Sequence, residues 1–443
     1  MANVDRGSGK AGAAAVVGLT IFFTAFIAVT YGFGIYLFPV IMSDMRADLG
    51  FTYGDAGVIT ASAQAGFLLA AFISAAVCAR VGGGRVVIAS VMICAASLLG
   101  LYVAENIWVI GVLLTITGGM AASAYTPMVQ VCQKFVGVRH RGKVLGLISS
   151  GTSYGVFVNG LLAPYMIQNA HWREIWLTVG IGTAGMVVLA TVYLAMIGVL
   201  RRPARPASIG LGVPRTPVAL WWRMRSLFKR KILILWLMMF LSGVACISFQ
   251  TYFSAYLRDE LGYSVTLAGN LWTVIGFVGM GGGFAMGALA DLITIRATMA
   301  VTYALLGLSS LLVLIHPDVM TLYGAAVAFG LAFYAIFGLN PAYISRVTTE
   351  SQSTLVFGIG NIFLGLGSVV GNLAGGRLKV ATETFEWTYI LVTGVALLLF
   401  LLTLPLPDER RAAPPAEDEA SPDAADACAE AAECPQVDPV PAQ

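Results

Sequence analysis

Ionisable residues are scarce in this sequence, and the few that occur avoid its apolar segments. Asp, Glu, Lys and Arg make up 11% of the 443 residues, against about 25% in a typical soluble domain. Only three histidines occur, His140, His171 and His316, and all lie between apolar segments. A site built on a histidine base, or on histidine and carboxylate ligands, is therefore not indicated. We predict no enzyme activity and no cofactor.

The sequence also lacks a disulfide framework and any nucleotide or nucleic-acid motif. Two of the six cysteines, Cys428 and Cys434, have a C-x5-C spacing without nearby histidines, which matches no metal-ligand spacing. We therefore predict no metal site and no nucleic-acid partner. The other four are isolated in apolar segments, where they are expected to pack as small apolar side chains: Cys78, Cys94, Cys132 and Cys246.

Apolar residues dominate instead, at 58% of the chain. They form stretches of about 20 residues, each long enough to cross a membrane as a helix. The first stretch is too long for a removed signal peptide. The sequence therefore predicts an all-α membrane protein with twelve spans, at 15–42, 56–79, 86–104, 107–133, 144–168, 174–199, 232–257, 265–290, 297–315, 319–345, 354–376 and 387–404.

The basic residues are distributed unequally between the two sides of this predicted bundle. Of the 26 Lys and Arg, 21 fall on the side that carries both termini. Because basic loops remain in the cytoplasm, both termini are predicted to be cytoplasmic in a multi-pass protein of a bacterial inner membrane. The opposite side keeps only Arg46, Arg173, Arg258, Arg377 and Lys379.

One sequence pattern occurs twice, 212 positions apart. Residues 45–57 read MRADLGFTYGDAG, and residues 257–269 read LRDELGYSVTLAG. Both copies connect one apolar segment to the next, which indicates an internal duplication of six spans. We predict two pseudo-symmetric six-helix bundles. The predicted divisions are an N-terminal segment 1–14, a first bundle 15–199, a basic middle loop 200–231, a second bundle 232–404 and a disordered acidic tail 405–443.

The middle loop contains the run WWRMRSLFKRK at 221–231. Its basic and aromatic residues predict an amphipathic helix on the inner lipid surface. A solvated linker that follows the positive-inside rule is the alternative, because that rule alone accounts for most of the charge.

A turn motif and the duplication together resemble the major facilitator superfamily, over residues 13–404. Between predicted spans eight and nine, the run from Gly287 to Asp291, followed by Arg296, is similar to the family's charged turn. The corresponding turn in the first half keeps Arg85 but has Ala79 where Asp291 aligns. The resemblance implies two six-helix bundles with a substrate site between them. It also implies gating roles for Arg80, Arg85, Asp291 and Arg296.

A weaker resemblance concerns the type of transporter. The stretch TYGFGIYLFPVIMSDM, at 30–45, is similar to bacterial organic-acid and monocarboxylate-type porters. No proline follows Gly155 in span five, where antiporters of the family carry a Gly-Pro pair. The resemblance implies secondary-active or facilitative transport, such as symport, of a small monoanion or weak acid by a monomeric unit with rocking halves. An efflux pump for amphipathic compounds and a non-transporting sensor are the alternatives.

The centres of the predicted spans lack charge, so a central site must use neutral groups. The neutral candidates lie on the helices that line the cavity in the resembled family and on their partners. Hydrogen bonding between helices is the alternative role for each of them. We expect an aromatic cluster on span ten to face Phe249 and Gln250 on span seven. The candidate substrate-binding residues are Tyr31, Gln64, Tyr125, Tyr154, Asn159, Phe249, Gln250, Tyr334, Phe337, Asn340 and Asn361.

Overall fold

The computed structural model describes residues 12–200, 230–315 and 317–410. These residues include twelve helices that are long and apolar enough to cross a membrane, which confirms the predicted all-α class. The first helix continues to Leu49, where the sequence predicts an end at residue 42. The helices are α1 Ala14–Leu49, α2 Tyr53–Val81, α3 Gly83–Val103, α4 Ile107–Phe135, α5 Val138–Asn169, α6 Trp172–Met196, α7 Arg230–Glu260, α8 Val265–Leu292, α9 Ile295–Ile315, α10 Val319–Val347, α11 Gln352–Thr382 and α12 Glu386–Thr403.

Three predictions fall wholly or largely outside the described residues. The N-terminal segment is described only from residue 12, and the amphipathic run 221–231 only from residue 230. The acidic tail, with Cys428 and Cys434, is described only as far as residue 410.

The duplicated sequence forms the same turn in both halves. Gly50 ends α1 at φ 70° and Gly262 follows α7 at φ 71°, in the left-handed region that favours glycine. The next helix then begins with a hydroxyl cap, because the Thr52 side chain accepts from the Asp55 backbone N–H and the Ser264 side chain from that of Leu267. In the repeated Leu-Gly-aromatic-Thr/Ser pattern, the glycine therefore ends one helix and the hydroxyl residue begins the next.

Helix packing is also repeated in the two halves. Helices α2 and α3 pack against α4 in the first half, as α8 and α9 pack against α10 in the second. Helix α1 crosses α5 where a Cβ on Gly32 would lie only 2.4 Å from the Gly155 Cα, so only glycine permits this approach. The matching crossing, of α7 and α11, places Gly243 and Gly367 against the opposite backbone. The chain thus folds as two similar six-helix units.

The two halves meet mainly through three helix pairs, α2 with α11, α5 with α8, and α1 with α7. We call the end of the bundle where α1 passes into α2 the first-loop end, and the opposite end the termini end. Near the first-loop end, the Gln168 side chain donates to the Thr266 hydroxyl at 2.7 Å, and the Ser254 hydroxyl donates to the Val40 carbonyl at 3.0 Å. A cavity remains between the halves below these contacts.

The first spanning helix is not a regular α-helix throughout. Residues Ala28–Tyr36 form a π-helix between two α-helical parts of α1. Two of its carbonyls are bound by helices of the same half: the Thr117 hydroxyl donates to the Gly34 carbonyl and the Asn159 amide to the Gly32 carbonyl, both at 2.7 Å. A π-helical segment often marks a functional site. Here it forms part of the cavity wall.

Candidate functional site

A small cavity of about 30 Å³ lies between the halves, nearer the first-loop end than the midpoints of the helices that line it. It is lined by parts of α1, α2, α4, α7 and α11, and every lining residue is uncharged. This volume holds about one water molecule, so the cavity is nearly closed in this conformation. The polar side chains in its wall are Tyr36, Thr60, Gln64, Gln250, Thr251 and Asn372.

Gln250 is the polar side chain in this wall with the clearest capacity to bind a ligand. It is 2% exposed, and neither its amide nitrogen nor its amide oxygen has a hydrogen-bond partner. The next two residues of α7 are committed to α11, because the Thr251 hydroxyl donates to the Asn372 side chain at 2.8 Å and the Tyr252 hydroxyl to the Asn372 carbonyl at 2.5 Å. A buried amide without a partner costs about 1–3 kcal/mol. A ligand that supplied both partners would recover this energy.

Aromatic residues separate this cavity from the termini end. The Tyr36 ring on α1 meets the Phe333 ring on α10 edge to face, with centroids 6.1 Å apart, and Phe333 meets Phe337 at 5.2 Å. Phe333 is 1% exposed, whereas Phe337, one helical turn nearer the termini end, is 45% exposed. Phe333 is therefore the buried part of this aromatic layer, and Phe337 is its exposed edge on the termini side.

Charged residues close the first-loop end. Arg258 of α7 binds Asp44 of α1 through two hydrogen bonds, of 2.5 and 2.7 Å. Arg46 of α1 lies 3.6 Å from the Asp259 carboxylate, which also accepts from the Tyr53 hydroxyl of α2. Each arginine is the repeated arginine of its own half and reaches an acidic residue of the other half. We call these four charged residues, Asp44, Arg46, Arg258 and Asp259, the first-loop latch.

The repeated acidic residue of the same motif acts within its own half. Asp48 lies 3.6 Å from Arg173 and accepts from the Trp172 ring nitrogen, at the start of α6. Glu260 binds Lys379 at 2.8 Å and accepts from the Phe385 backbone N–H just before α12. One short motif thus supplies a basic group to the partner half and an acidic group to its own half.

Comparison with known proteins identifies the class of this molecule. A family model described as Major Facilitator Superfamily matches residues 24–339 and 282–431. The chain belongs to the major facilitator superfamily. Its twelve membrane-length helices make it a multi-pass membrane protein of that superfamily.

Two relatives give the range of similarity within this superfamily. A mutant of the nucleoside transporter NupG has the same fold, with a TM-score of 0.68 over 87% of this chain and 99% of that chain, at 11% identity. A cis,cis-muconate transport protein of Acinetobacter baylyi is 24% identical over 156 residues. That match covers 35% of this chain and 38% of the relative.

In this major facilitator, three of the sequence-predicted binding residues are used inside their own halves. The Asn159 amide donates to the Gly32 carbonyl, as described above. The Asn340 side-chain oxygen accepts from the Tyr303 hydroxyl of α9 at 3.4 Å. Phe249 is fully buried and stacks on Phe329 at 4.1 Å. Phe249 of α7 thus meets an aromatic side chain of α10, and of Gln250, Phe249 and Asn340 only Gln250 lines the cavity.

The other predicted binding residues lie along the interface or near it. The Tyr31 ring meets Phe67 edge to face at 5.9 Å, and the Tyr125 hydroxyl lies 3.1 Å from the Ser149 hydroxyl. The Tyr334 hydroxyl of α10 is buried and has no hydrogen-bond partner among the described residues. Of the remaining three, Gln64 places an amide in the cavity wall, the Tyr154 ring is exposed, and the Asn361 amide is half-buried.

The residues predicted to gate the termini end also bind within their own halves. The Arg85 guanidinium donates to the Leu200 carbonyl at 2.9 Å, and that of Arg296 to the Leu406 carbonyl at 2.8 Å. Asp291 is exposed, and its backbone carbonyl accepts from Arg410. The fourth residue, Arg80, is exposed in the last turn of α2.

Sequence reasoning did not assign the first-loop latch a gating role. The signal was present in the repeat, because the arginine matched in both copies and each copy has an acidic residue within two positions of it. The repeat could not show that each arginine binds an acidic residue of the opposite half. Which acidic residue each arginine meets depends on how the two halves are placed against each other.

Proposed function

We propose that the protein carries a small organic solute, a monoanion or weak acid, across a bacterial inner membrane by alternating access. The observation that carries this proposal is the Gln250 amide, which is buried in the wall of a cavity between the halves with neither polar atom partnered. Ligand sites in membrane carriers of this architecture lie at such an interface between repeats. The Tyr36 ring, in the same cavity wall, offers apolar surface to such a ligand.

The closed first-loop end supports an alternating mechanism. A carrier must seal one side while the other is accessible. Here the latch lies at the first-loop end, and the aromatic layer lies near the midpoint of α10. Phe337, just below the aromatic layer, is 45% exposed. We propose that the latch closes the first-loop end in this conformation while the aromatic layer separates the cavity from the termini end, and that rocking of the two halves breaks the latch to open the first-loop end. One chain contains both halves, so we propose a monomeric functional unit.

Two observations support an organic acid as the solute. The cavity wall has amides and hydroxyls but no charged group, which suits a substrate that carries little charge when bound. The Acinetobacter relative is named for transport of cis,cis-muconate, which is an organic acid.

Uptake into proteoliposomes tests the proposal. The wild-type protein is compared with Gln250→Leu, using a radiolabelled panel of organic acids that includes cis,cis-muconate. Gln133→Leu is the matched control, because the Gln133 side chain is exposed near the end of α4, outside the cavity. We expect Gln250→Leu to weaken the apparent affinity several-fold, from the loss of hydrogen bonds to the amide. Equal transport by the two variants would contradict the site.

The topology is tested by labelling single introduced cysteines in intact cells with an impermeant maleimide. Ala47→Cys and Ala170→Cys occupy exposed positions at the first-loop end and should react from outside. Gly142→Cys, exposed at the termini end, should react only after permeabilisation. Reaction of Gly142→Cys in intact cells would reverse the proposed orientation. Wild-type protein provides the background from the native cysteines.

A further inference from the structure

We propose that this carrier binds the carboxyl group of its substrate in the protonated form, R–COOH, through the side-chain amide of Gln250. The proton that crosses the membrane then travels on the substrate and not on a protein carboxylate. This inference rests on the proposed function, because it concerns the same cavity.

The cavity wall offers no counter-charge to a carboxylate. Every residue in the cavity wall is uncharged. The nearest charged group on α7 is Arg258, eight residues or about 12 Å along the helix, and it is bound to Asp44 by two hydrogen bonds. A carboxylate moved from water into such a wall would lose its hydration without an ion-pair partner, which is strongly unfavourable.

The remaining titratable groups around Gln250 do not change this conclusion. Tyr36 of α1 lies in the wall, and Cys246 is one turn away on α7 itself. The hydroxyls of Tyr252 on α7 and Tyr389 on α12 donate to the Asn372 and Phe249 carbonyls. Phenols and buried thiols remain neutral between pH 4 and about pH 8. Loading of the site therefore does not depend on ionisation of these groups.

The hydrogen-bond pattern of the Gln250 amide also favours the protonated acid. Gln250 presents one donor group, Nε2, and one acceptor, Oε1, and both lack partners. A carboxylate has only acceptors, so it would leave Oε1 unsatisfied and facing negative charge. A carboxylic acid has one donor and one acceptor, and can satisfy both atoms of the amide. Gln64 places a second amide in the same wall.

The proton balance follows directly. On the loading side, R–COO⁻ takes one proton from water and binds as R–COOH, and on the other side it dissociates and returns the proton. For a monocarboxylic acid each cycle is electroneutral. Above the pKa of the substrate acid, the apparent affinity should fall about tenfold for each pH unit, because only the protonated fraction binds.

Calorimetry on the full-length protein in lipid nanodiscs tests this inference. The probes are cis,cis-muconate and benzoate, together with benzamide as the permanently neutral analogue and benzenesulfonate as the permanently charged one. Titrations at pH 6.5 in two buffers of different ionisation enthalpy count the protons taken up on binding. We expect one proton per bound benzoate, two per bound cis,cis-muconate because it carries two carboxylates, and none for benzamide. We expect benzenesulfonate to bind at least tenfold more weakly than benzamide.

Two variants complete the test. Gln250→Leu should lose several-fold in affinity for the acids and for benzamide. Gln250→Lys adds a cation to the wall and should bind benzenesulfonate, and benzoate without proton uptake. The proton count on wild-type protein needs neither variant to fold.

The outcomes separate the two proposals. Acid binding without proton uptake, or tight wild-type binding of benzenesulfonate, would overturn the protonated-acid inference and leave the cavity as the site. Failure of both acids to bind the wild-type protein, or undiminished binding by Gln250→Leu, would overturn the proposed site itself.

Discussion

The two ends of this bundle hold its halves in different ways. At the first-loop end, Arg46 and Arg258 each bind an acidic residue of the opposite half. At the termini end, Arg85 and Arg296 each bind the carbonyl of a residue that follows the last helix of their own half. Both ends therefore use arginine, but only at the first-loop end do the arginines described here join the halves. The ion pairs between the halves described above are therefore concentrated at the first-loop end.

The largest effect is expected where the backbones of the halves touch. A Cβ on Gly160 of α5 would lie 2.4 Å from the Thr273 backbone nitrogen of α8, whereas one on Gly146 would meet only Phe284, at 3.9 Å. Gly160→Leu should force the first-loop end open and reduce transport by more than tenfold. We expect Gly146→Leu to leave this end closed. A reporter Thr60→Cys, in the buried cavity wall, measures the opening by its rate of labelling from outside.

The two glycine variants also serve as each other's control, because both place leucine on α5 against the same partner helix. Equal labelling of the reporter in both backgrounds would show that the first-loop end is not the closed end. Expression and melting temperature of each variant separate a shifted equilibrium from a failure to fold.

Much of this architecture could be predicted from the sequence. Length and hydropathy predicted twelve spans, because a helix must satisfy its own backbone in lipid and needs about 20 apolar residues to cross it. The Leu-Gly-aromatic-Thr/Ser repeat predicted the duplication, since glycine and a hydroxyl cap mark helix ends in any context. These signals are local in the sequence, so they can be recognised without knowledge of the tertiary structure.

The candidate site was predicted less completely, for a physical reason. Phe249 lies on α7, which lines the cavity, and Asn340 lies on α10, which does not, and each contacts a neighbour in its own half. Helices such as α7 are buried on nearly all sides, so their sequence gives no amphipathic pattern that would orient a single side chain. The sequence also does not reveal that Arg46 and Arg258 bind residues of the opposite half, because these contacts depend on how the two halves are placed.

The next largest effect should come from the better-buried pair of the latch. The side chains of Arg258 and Asp44 are 15% and 17% exposed and bind through two hydrogen bonds. Asp44→Asn leaves the guanidinium half-buried without its counter-charge, at a cost on the order of 1–2 kcal/mol. We expect about tenfold faster labelling of the Thr60→Cys reporter.

Exchange of the two charges provides the control for this pair. Asp44→Arg combined with Arg258→Asp should label more slowly than either single substitution, because the attraction is restored. Strict additivity of the two single effects would show that the pair does not act as a contact between the halves.

A smaller effect is expected for the second pair. The Arg46 side chain is 37% exposed and its nitrogen lies 3.6 Å from Asp259, so screening by solvent leaves less than about 1 kcal/mol. Tyr53 also continues to hold Asp259 when the arginine is removed. Arg46→Met should therefore increase reporter labelling only a few-fold. High salt should reduce the difference between this variant and wild type, because exposed charges are screened. A larger effect than that of Asp44→Asn would reverse the ranking by burial.

The smallest effect on opening of the first-loop end is expected from substitutions at the termini end. Arg85→Met and Arg296→Met remove guanidinium groups that bind the Leu200 and Leu406 carbonyls, and both members of each pair move with the same half. Loss of such a bond should lower the melting temperature by a few degrees, because a charged hydrogen bond contributes roughly 1.5–3 kcal/mol and exposure reduces it. Labelling of the Thr60→Cys reporter should stay within twofold of wild type, since these bonds need not break when the halves rock. A tenfold change in labelling from either substitution would place a gate at this end after all, and the two ends would then differ in geometry but not in function.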